Sequence, residues 1–404
     1  MRVLIADKLL PTTAAALRAE GCTVTEDPSL TGDALVHALA DGAQVLVVRS
    51  TKVPAAAFRN PQLGLIVRAG AGINTIDVEA ANAAGVYVAN CPGRNSLAVA
   101  ELTIGLLIAL DRRIPDAVAD LRAGAWKKGE YSNASGLAGR TLGVLGAGGI
   151  GMAVAARARA LGMRVLVWNR GEHRRADVEA AGHRFVADPL ELAAQCDAVS
   201  LHLALSEETR GIAGRAFFTA LRREALFINT SRAGLVDEAA LRDAVTDRGV
   251  RAALDVFDGE PGGKEGTVAS ATLELPGVIA TPHIGASTMQ AQEAVADEVS
   301  RIVTAYVQSG KVPNVTNLAA RSPASHALIV RHMNRVGVLS HVFSALKGAH
   351  INVLETKNIV FEGGAACIAR IAIDSAPADD VLAALRDGNP DVIDLNLVSI
   401  GGTP

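Results

Sequence analysis

The sequence has few aromatic residues, little net charge and no long apolar run. Aromatic side chains make up 3% of its 404 residues, and 39 Lys and Arg stand against 42 Asp and Glu. Without a basic excess no global field attracts a polyphosphate backbone, so nucleic acid is not an expected partner. No apolar stretch reaches the ~20 residues that cross a bilayer, so no membrane partner is expected either.

Cysteine is also scarce. The four cysteines lie far apart in the chain, at Cys22, Cys91, Cys196 and Cys367. They form no CxxC pair and no cluster with histidine at metal-ligand spacing, so the sequence predicts no metal site. Reduced thiols and an N-terminus that is typical of a β-strand and not of a signal peptide predict a cytoplasmic protein.

Half of the residues are apolar and a fifth are charged, a balance typical of globular proteins. At ~150 residues per domain the length corresponds to two or three domains. Short Val/Ile/Leu runs alternate with helical segments over residues 2–90 and again over 141–282, which predicts two parallel, doubly wound sheets. Long helices are predicted over 96–124 and from about 287 to 310, and both cross between the two units.

The second crossing helix predicts a first domain that is discontinuous in sequence. We therefore predict one domain from residues 1–96 and 289–317 and a Rossmann-like domain from residues 97–288. Residues 311–325 contain two prolines and no periodicity, and they are predicted to be a linker. The remaining chain, 318–404, has the order βαββαβ of a small ferredoxin-like domain.

A glycine-rich loop follows the first strand of the second unit. Gly146, Gly148 and Gly151 form GxGxxG, with Gly149 and Ile150 between the last two. The first glycine permits a tight turn, the second a close approach of backbone to a pyrophosphate, and the third close packing of helix on strand. Because strand, loop, helix and second strand occur in the required order, the sequence predicts a dinucleotide cofactor.

The residue that binds the adenosine ribose is expected about 20 residues after this loop. Asn169 and Arg170 stand there instead of a carboxylate, followed by Arg174 and Arg175. The arginines would suit a 2′-phosphate, so NADP is expected to be accepted at an efficiency comparable to NAD. The alternative is that Asn169 binds the ribose hydroxyls and the arginines form a solvated surface.

Three segments at the carboxyl ends of consecutive strands supply an arginine, a carboxylate and a histidine. They are NTSRAGLVD, ALDVFDGEP and ATPHIGAST, which contain Arg232, Glu260 and His283. With the glycine loop in this order, the chain from the first strand to about residue 317 resembles the D-2-hydroxyacid dehydrogenases. Taken singly, the three residues could be a surface arginine, a helix-start carboxylate and a loop histidine.

The resemblance implies a role for each residue in oxidising a 2-hydroxy acid. His283 would accept the hydroxyl proton, Glu260 would orient and stabilise its imidazolium form, and Arg232 would hold the substrate carboxylate. The resemblance further places Thr230 beside the nicotinamide ring and Asp255 near its carboxamide. Asp255 could equally cap the turn that follows its strand.

Within this family, VVRSTKV and VRAGAGINTID are most similar to segments of the D-3-phosphoglycerate dehydrogenases. That branch oxidises 3-phospho-D-glycerate to 3-phosphohydroxypyruvate in L-serine biosynthesis. The resemblance implies substrate contacts by Arg49, Arg68, Gly72 and Asn74. If both arginines lay on a solvated rim, a glyoxylate or hydroxypyruvate reductase would be the alternative. A non-catalytic protein that senses the dinucleotide is an alternative from a different class.

The C-terminal segment resembles an ACT domain, a small-molecule regulatory fold. RHMNRVGVLSHVFSAL and HINVLETKN carry that resemblance, which implies effector contacts, for serine in some relatives, by His332, Asn334 and Asn352. The alternative is a domain that serves dimerisation only. A homodimer or homotetramer is expected.

Overall fold

The computed structural model describes residues 1–261 and 265–400, so the last four residues of the predicted C-terminal domain lie outside the described part. The chain forms two compact units, Met1–Asn317 and a second that begins at Leu318. The first unit contains two sheets. Since these form one compact unit, the finer division into two domains stays a prediction. No helix in the described residues is long and apolar enough to cross a membrane.

The first sheet is entirely parallel, with the strand order β2-β1-β3-β4-β5. Its strands are β1 (Arg2–Ile5), β2 (Thr23–Glu26), β3 (Val45–Val48), β4 (Leu65–Arg68) and β5 (Tyr87–Asn90), and its connecting helices are α1 (Pro11–Ala19), α2 (Gly32–Ala40) and α3 (Val78–Ala84). The chain turns to opposite sides of β1 when it forms β2 and β3. This topological switch opens a crevice at the carboxyl ends of β1 and β3, where ligands of open α/β sheets bind.

Between the two sheets the predicted single helix over 96–124 is wrong. The structure has α4 (Ser96–Arg112), α5 (Ile114–Arg122) and the short α6 (Lys128–Tyr131). Arg113 adopts a left-handed conformation with φ 51°, and Pro115 in the first turn of α5 has no amide hydrogen to continue the ladder of α4. Helical periodicity extends across the break, but Pro115 was a sequence signal for it, because proline inside a helical pattern ends or kinks the helix.

The second sheet is also parallel, with the strand order β12-β11-β10-β9-β6-β7-β8. Its strands are β6 (Thr141–Leu145), β7 (Arg164–Trp168), β8 (Arg184–Phe185), β9 (Ala198–Leu201), β10 (Leu226–Asn229), β11 (Arg251–Leu254) and β12 (Val278–Ala280). Helices on its two faces are α7 (Gly149–Ala160), α8 (Arg175–Ala180), α9 (Pro189–Gln195), α10 (Arg215–Ala220) and α11 (Glu238–Arg248). The switch between β6 and β9 places the glycine loop beside the ends of β9 and β7.

Helix α12 (Met289–Ser309) returns the chain to the first sheet. Val299, Ile302 and Val303 of this helix are fully buried in the core formed with α1 and the strands. The segment that follows is not a free linker throughout. Thr316 and Asn317 form hydrogen bonds with backbone atoms of Val88, along the edge of β5.

The second unit is a four-stranded antiparallel sheet with two helices. Its elements, in the predicted order βαββαβ, are β13 (His326–Met333), α13 (Val338–Gly348), β14 (Val353–Val360), β15 (Ala366–Ile373), α14 (Asp379–Asp387) and β16 (Val392–Ser399). The strand order is β14-β15-β13-β16. One face of the sheet packs on α13 and α14 through a core that includes Leu328, Val342 and Leu385.

Candidate active site

A cavity of about 350 Å³ lies in the first unit, at the carboxyl ends of strands from both sheets. Its lining includes three arginines and one histidine, and no described lining residue is a carboxylate. The basic residues are Arg49, Arg68, Arg232 and His283. Cationic side chains that converge on a cavity without carboxylates favour a ligand with more than one anionic group.

His283 and Glu260 form a hydrogen-bonded pair at this cavity. Nδ1 of His283 lies 2.7 Å from Oε2 of Glu260, and the other carboxylate oxygen accepts a 3.0 Å hydrogen bond from the amide of Phe257. The hydrogen bond to Glu260 raises the pKa of His283 above its ordinary value. Burial alone would raise the pKa of Glu260, but the hydrogen bonds from His283 and Phe257 lower it. Nδ1 therefore donates to Glu260, which leaves Nε2 as the nitrogen able to exchange a proton with a substrate.

Asp255 fixes the loop that carries His283. This buried carboxylate accepts hydrogen bonds from the Thr281 hydroxyl at 2.5 Å and from the amides of Ile284 and Gly285, both at 2.9 Å. His283 itself has a left-handed backbone, with φ 52°. A non-glycine residue keeps this conformation only where its surroundings enforce it. Asp255 thus caps the turn after β12, and none of these hydrogen bonds goes to the turn after its own strand, β11.

Arg232 follows the end of β10 and lies beside a loop of the first sheet. The buried side chain of Asn229 donates to the carbonyl of Arg232 at 2.9 Å and accepts from the amide of Ser231 at 3.0 Å. A Cβ added at Gly72 would stand 2.8 Å from Nη2 of Arg232 and 3.3 Å from Oδ1 of Asn74. The structure thus brings three predicted site residues together, with the Arg232 guanidinium close against Gly72.

Arg49 is positioned by Asp7, a residue that the sequence analysis did not assign to the site. The carboxylate of Asp7, just after β1, accepts the amides of Arg49, Ser50 and Thr51 at 2.6, 3.0 and 3.0 Å and the Ser50 hydroxyl at 2.8 Å. Burial would raise the pKa of Asp7, but these hydrogen bonds lower it. Asp7 therefore remains charged and fixes the turn after β3. Asp7 and Arg49 are 42 residues apart in the chain, so no local sequence pattern predicts this hydrogen bond.

Arg68, at the end of β4, is a partly buried arginine of the cavity. Its Nη1 would be 1.7 Å from a Cβ at Gly70, so the guanidinium folds directly over that glycine. Burial first, and then the nearby charges of Arg232 and Arg49, lower the pKa of Arg68. Its Nε is buried and has no hydrogen-bond partner among the described residues. A buried N–H donor without a partner, close to two other positive charges, favours the binding of an anion.

The glycine loop has the shape that a pyrophosphate requires. A Cβ at Gly146 would lie 2.2 Å from the carbonyl oxygen of His202, and one at Gly151 would lie 1.9 Å from the carbonyl oxygen of Gly146. At Gly148, by contrast, a Cβ meets only open space, so that backbone is accessible to a ligand. Gly149 and Ile150 begin α7, whose positive end faces the same space. The loop therefore fits a dinucleotide.

Two other predicted cofactor residues have structural hydrogen bonds. Oδ1 of Asn169 accepts the amide of Ala147 in the glycine loop at 3.2 Å. The hydroxyl of Thr230 lies 2.9 Å from that of Thr103 on α4, and both side chains are buried. Asn169 therefore positions the backbone of the glycine loop, and Thr230 joins the end of β10 to α4.

The arginines after β7 are not free cations. Arg170 pairs with Glu208, a carboxylate from the loop that follows β9. Arg174 pairs with Asp177 at 2.9 Å and Arg175 with Glu172 at 2.8 Å. These pairs weaken the expectation of an arginine cluster devoted to a 2′-phosphate. The sequence analysis did not identify Glu208 as the partner of Arg170, because the two residues are 38 positions apart and follow different strands.

The predicted effector residues do not form one site within a chain. His332 and Asn334 lie at the end of β13 that pairs with the start of β15, whereas Asn352 lies beside Asp374 at the opposite end of the sheet. His332 is buried, with ring nitrogens 2.8 Å from the Met333 carbonyl and 3.1 Å from Oδ1 of Asn358. The antiparallel register thus separates Asn352 from the other two residues within one chain, and the assignment of all three as effector contacts stays a prediction.

Comparisons with known proteins match this geometry. Residues 104–285 match the family model of the D-isomer specific 2-hydroxyacid dehydrogenase NAD-binding domain. The chain is 40% identical over 292 residues to a D-3-phosphoglycerate dehydrogenase of Methanocaldococcus jannaschii, covering 72% of this chain and 54% of that protein. It is 30% identical over 371 residues to one of Archaeoglobus fulgidus, covering 89% of this chain and 69% of that protein. The chain belongs to the D-2-hydroxyacid dehydrogenase family.

Membership of this family confirms a nicotinamide dinucleotide, NAD or NADP, as the cofactor. The fold does not select a substrate. A solved glyoxylate reductase of Paecilomyes thermophila is similar to this chain with a TM-score of 0.70 and 28% identity, covering 78% of this chain and 98% of that one. The chain also spans only 54% to 58% of the length of several phosphoglycerate dehydrogenases that it matches. Substrate choice must therefore be argued from the cavity.

Proposed function

We propose that this D-2-hydroxyacid dehydrogenase oxidises 3-phospho-D-glycerate to 3-phosphohydroxypyruvate, the first step of L-serine biosynthesis, with NAD or NADP. The observation that carries the proposal is the convergence of Arg49, Arg68 and Arg232 with His283 on one cavity. A 2-hydroxy acid with a terminal phosphate has two anionic groups to be held at a fixed distance from its reacting carbon. Arg232 suits the carboxylate, and the other two arginines suit the phosphate.

The chain's own residues supply the acid/base chemistry. The bound dinucleotide supplies the acceptor for the hydride that leaves C2 of the substrate. Nε2 of His283 accepts the proton of the C2 hydroxyl, and the Glu260 carboxylate at Nδ1 stabilises the imidazolium that results. Arg232 binds the substrate carboxylate and polarises the C2 oxygen, which favours the planar carbonyl product. In the reverse direction His283 returns the proton.

A substrate panel in the reductive direction tests the proposal. Consumption of reduced cofactor would be followed with phosphohydroxypyruvate, hydroxypyruvate and glyoxylate at equal cofactor. We expect the largest kcat/KM for phosphohydroxypyruvate. Equal efficiency across the panel, or a preference for glyoxylate, would support the alternative reductase, for which Arg232 alone suffices. Absence of turnover with every substrate would support the non-catalytic dinucleotide sensor.

Replacing the partner of the histidine should change the pH dependence of oxidation. His283 accepts a proton only when it is neutral, so kcat/KM for oxidation declines as pH falls through its pKa. Glu260 raises that pKa, and the neutral amide of Glu260→Gln cannot. The acidic limb of the pH profile of kcat/KM is therefore expected to move to lower pH, with a reduced plateau. An unmoved limb would show that the group titrating in the profile is not His283.

The ion pair between Arg170 and Glu208 gives the cofactor preference a direct test. Glu208 neutralises Arg170 and would repel a 2′-phosphate, so Glu208→Gln is expected to raise the kcat/KM ratio of NADPH over NADH by roughly three- to tenfold. The neighbouring exposed Glu207→Gln is the matched control and should leave the ratio unchanged. If both variants retain the original ratio, Arg170 does not face the ribose.

For the second unit we propose an ACT-like regulatory domain. Its support is the βαββαβ order and the four-stranded antiparallel sheet with both helices on one face. An effector such as serine would contact His332 and Asn334 of one chain, and Asn352 only as the residue of a second copy. This geometry is compatible with a homodimer or homotetramer. The four cysteines are free and buried, in keeping with a proposed cytoplasmic location.

A further inference from the structure

The substrate cavity contains a buried hydroxyl that no interaction described above uses. Thr13, in the first turn of α1, is 1% exposed and lines the cavity beside Arg49 and Arg68. Its Oγ1 is buried and has no hydrogen-bond partner among residues 1–261 and 265–400. An unsatisfied buried hydroxyl costs free energy, and a ligand that accepts its hydrogen bond removes that cost.

The same turn is the positive end of a helix without a local counter-charge. α1 begins at Pro11 and is nine residues long, and no side chain of the described residues caps its N-terminus. The first turn contains no Asp or Glu. Leu10, which precedes it, lines the cavity together with Thr13. The amides and the dipole of such a helix end favour an anion.

Asp7 is the carboxylate nearest in sequence to this helix end, and it does not neutralise the cavity. Its oxygens accept hydrogen bonds from three amides and the Ser50 hydroxyl, and it is not among the residues that line the cavity. The Ser50 hydroxyl donates to Asp7 and is therefore not available as a donor to a ligand. The Thr13 hydroxyl is therefore a free neutral donor beside the two arginines, and the Thr75 hydroxyl is a second buried lining hydroxyl without a partner among the described residues.

We propose that the first turn of α1, through the hydroxyl of Thr13, binds the phosphate group of the substrate together with Arg49 and Arg68. The inference rests on the proposed function and adds a specificity-determining residue to it. Thr13 contacts the part of the substrate that distinguishes 3-phosphohydroxypyruvate from hydroxypyruvate and takes no part in the transfer of proton or hydride. Its removal should therefore act on phosphorylated ligands only.

Thr13→Val tests the contact because valine has the shape of threonine without the hydroxyl. A hydrogen bond to a charged group contributes enough for the KM for phosphohydroxypyruvate to rise about tenfold, with kcat nearly constant. Inhibition by inorganic phosphate, used as the probe of the same subsite, should weaken by a similar factor. The kinetics of hydroxypyruvate should not change. Thr13→Ser retains the hydroxyl and should restore most of the affinity.

Thr12→Val is the matched control, since Thr12 is the exposed neighbour in the same turn. It should leave both substrates and phosphate inhibition unchanged. A Thr13→Val protein that treats phosphohydroxypyruvate as the unmutated protein does would overturn the inference while the proposed function stands. If the unmutated protein shows no preference for phosphohydroxypyruvate, the proposed function itself fails. Loss of affinity for both substrates alike would mean that Thr13 only shapes the cavity.

Discussion

His283→Ala is expected to lower kcat by roughly 10²–10⁴, the usual contribution of a positioned acid/base group. No other described residue that lines the cavity has a side chain that exchanges protons near neutral pH, because the remaining charged groups there are arginines. Water can replace the imidazole as proton acceptor only inefficiently. The nucleotide loop lies on different strand ends, so the dissociation constant of the cofactor should be nearly unchanged.

Steady-state kinetics and a cofactor titration of the same preparation measure both effects. His37→Ala, at an exposed position on α2, is a suitable control and should be fully active. Near-normal turnover of the His283→Ala protein would remove this residue from the mechanism. Loss of cofactor binding together with turnover would mean that the variant had disturbed the loop that Asp255 holds.

The parts of the fold that the sequence predicts are those whose stabilising interactions depend on neighbouring residues in the chain. Continuous apolar runs predicted β1, β3, β4 and β5, since a strand covered on both faces must be largely apolar, whereas β2 is an exposed edge strand with the sequence TVTE. The glycine loop was predictable because the spacing of its glycines is set by one strand-loop-helix unit and the pyrophosphate that such a loop binds, although the close contact of Gly146 is with His202 on another strand end. Arg113 could not be predicted in this way. A non-glycine residue with a left-handed backbone is stabilised by its surroundings and not by its own conformational preference.

The positioning residues around the cavity were less predictable than the residues that carry the chemistry. Asp7 and Asn229 form hydrogen bonds with backbone amides and carbonyls. Because every residue has these backbone groups, the residue type at the other end of the bond gives no clue to the pairing. Glu208 neutralises Arg170 from another strand end, a pairing that depends on the order of strands in the sheet. The register of the antiparallel sheet, which places Asn352 at the opposite end from His332 and Asn334, likewise depends on strand pairing and not on local sequence.

Replacing Arg68 should lower activity toward the phosphorylated substrate much more than activity toward its unphosphorylated analogue. Arg68→Ala is expected to lower kcat/KM for phosphohydroxypyruvate by about 10²-fold, because a partly buried charge-assisted pair contributes about 3 kcal/mol. Hydroxypyruvate lacks the phosphate and should lose far less. Arg49→Ala should act in the same direction with a smaller effect, since the backbone of the Arg49 turn remains fixed by Asp7.

The Arg68→Ala protein should lose activity without losing thermal stability. Burial and the charges of Arg49 and Arg232 disfavour the Arg68 cation, so removing it relieves repulsion in the ligand-free protein. The melting temperature of Arg68→Ala should be equal to or above that of the unmutated protein, whereas the rise in melting temperature on adding inorganic phosphate should be smaller. Arg59→Ala, at an exposed position before β4, should match the unmutated protein in both measurements. Equal losses for phosphohydroxypyruvate and hydroxypyruvate would instead show that Arg68 holds the carboxylate, and the phosphate would have to bind elsewhere.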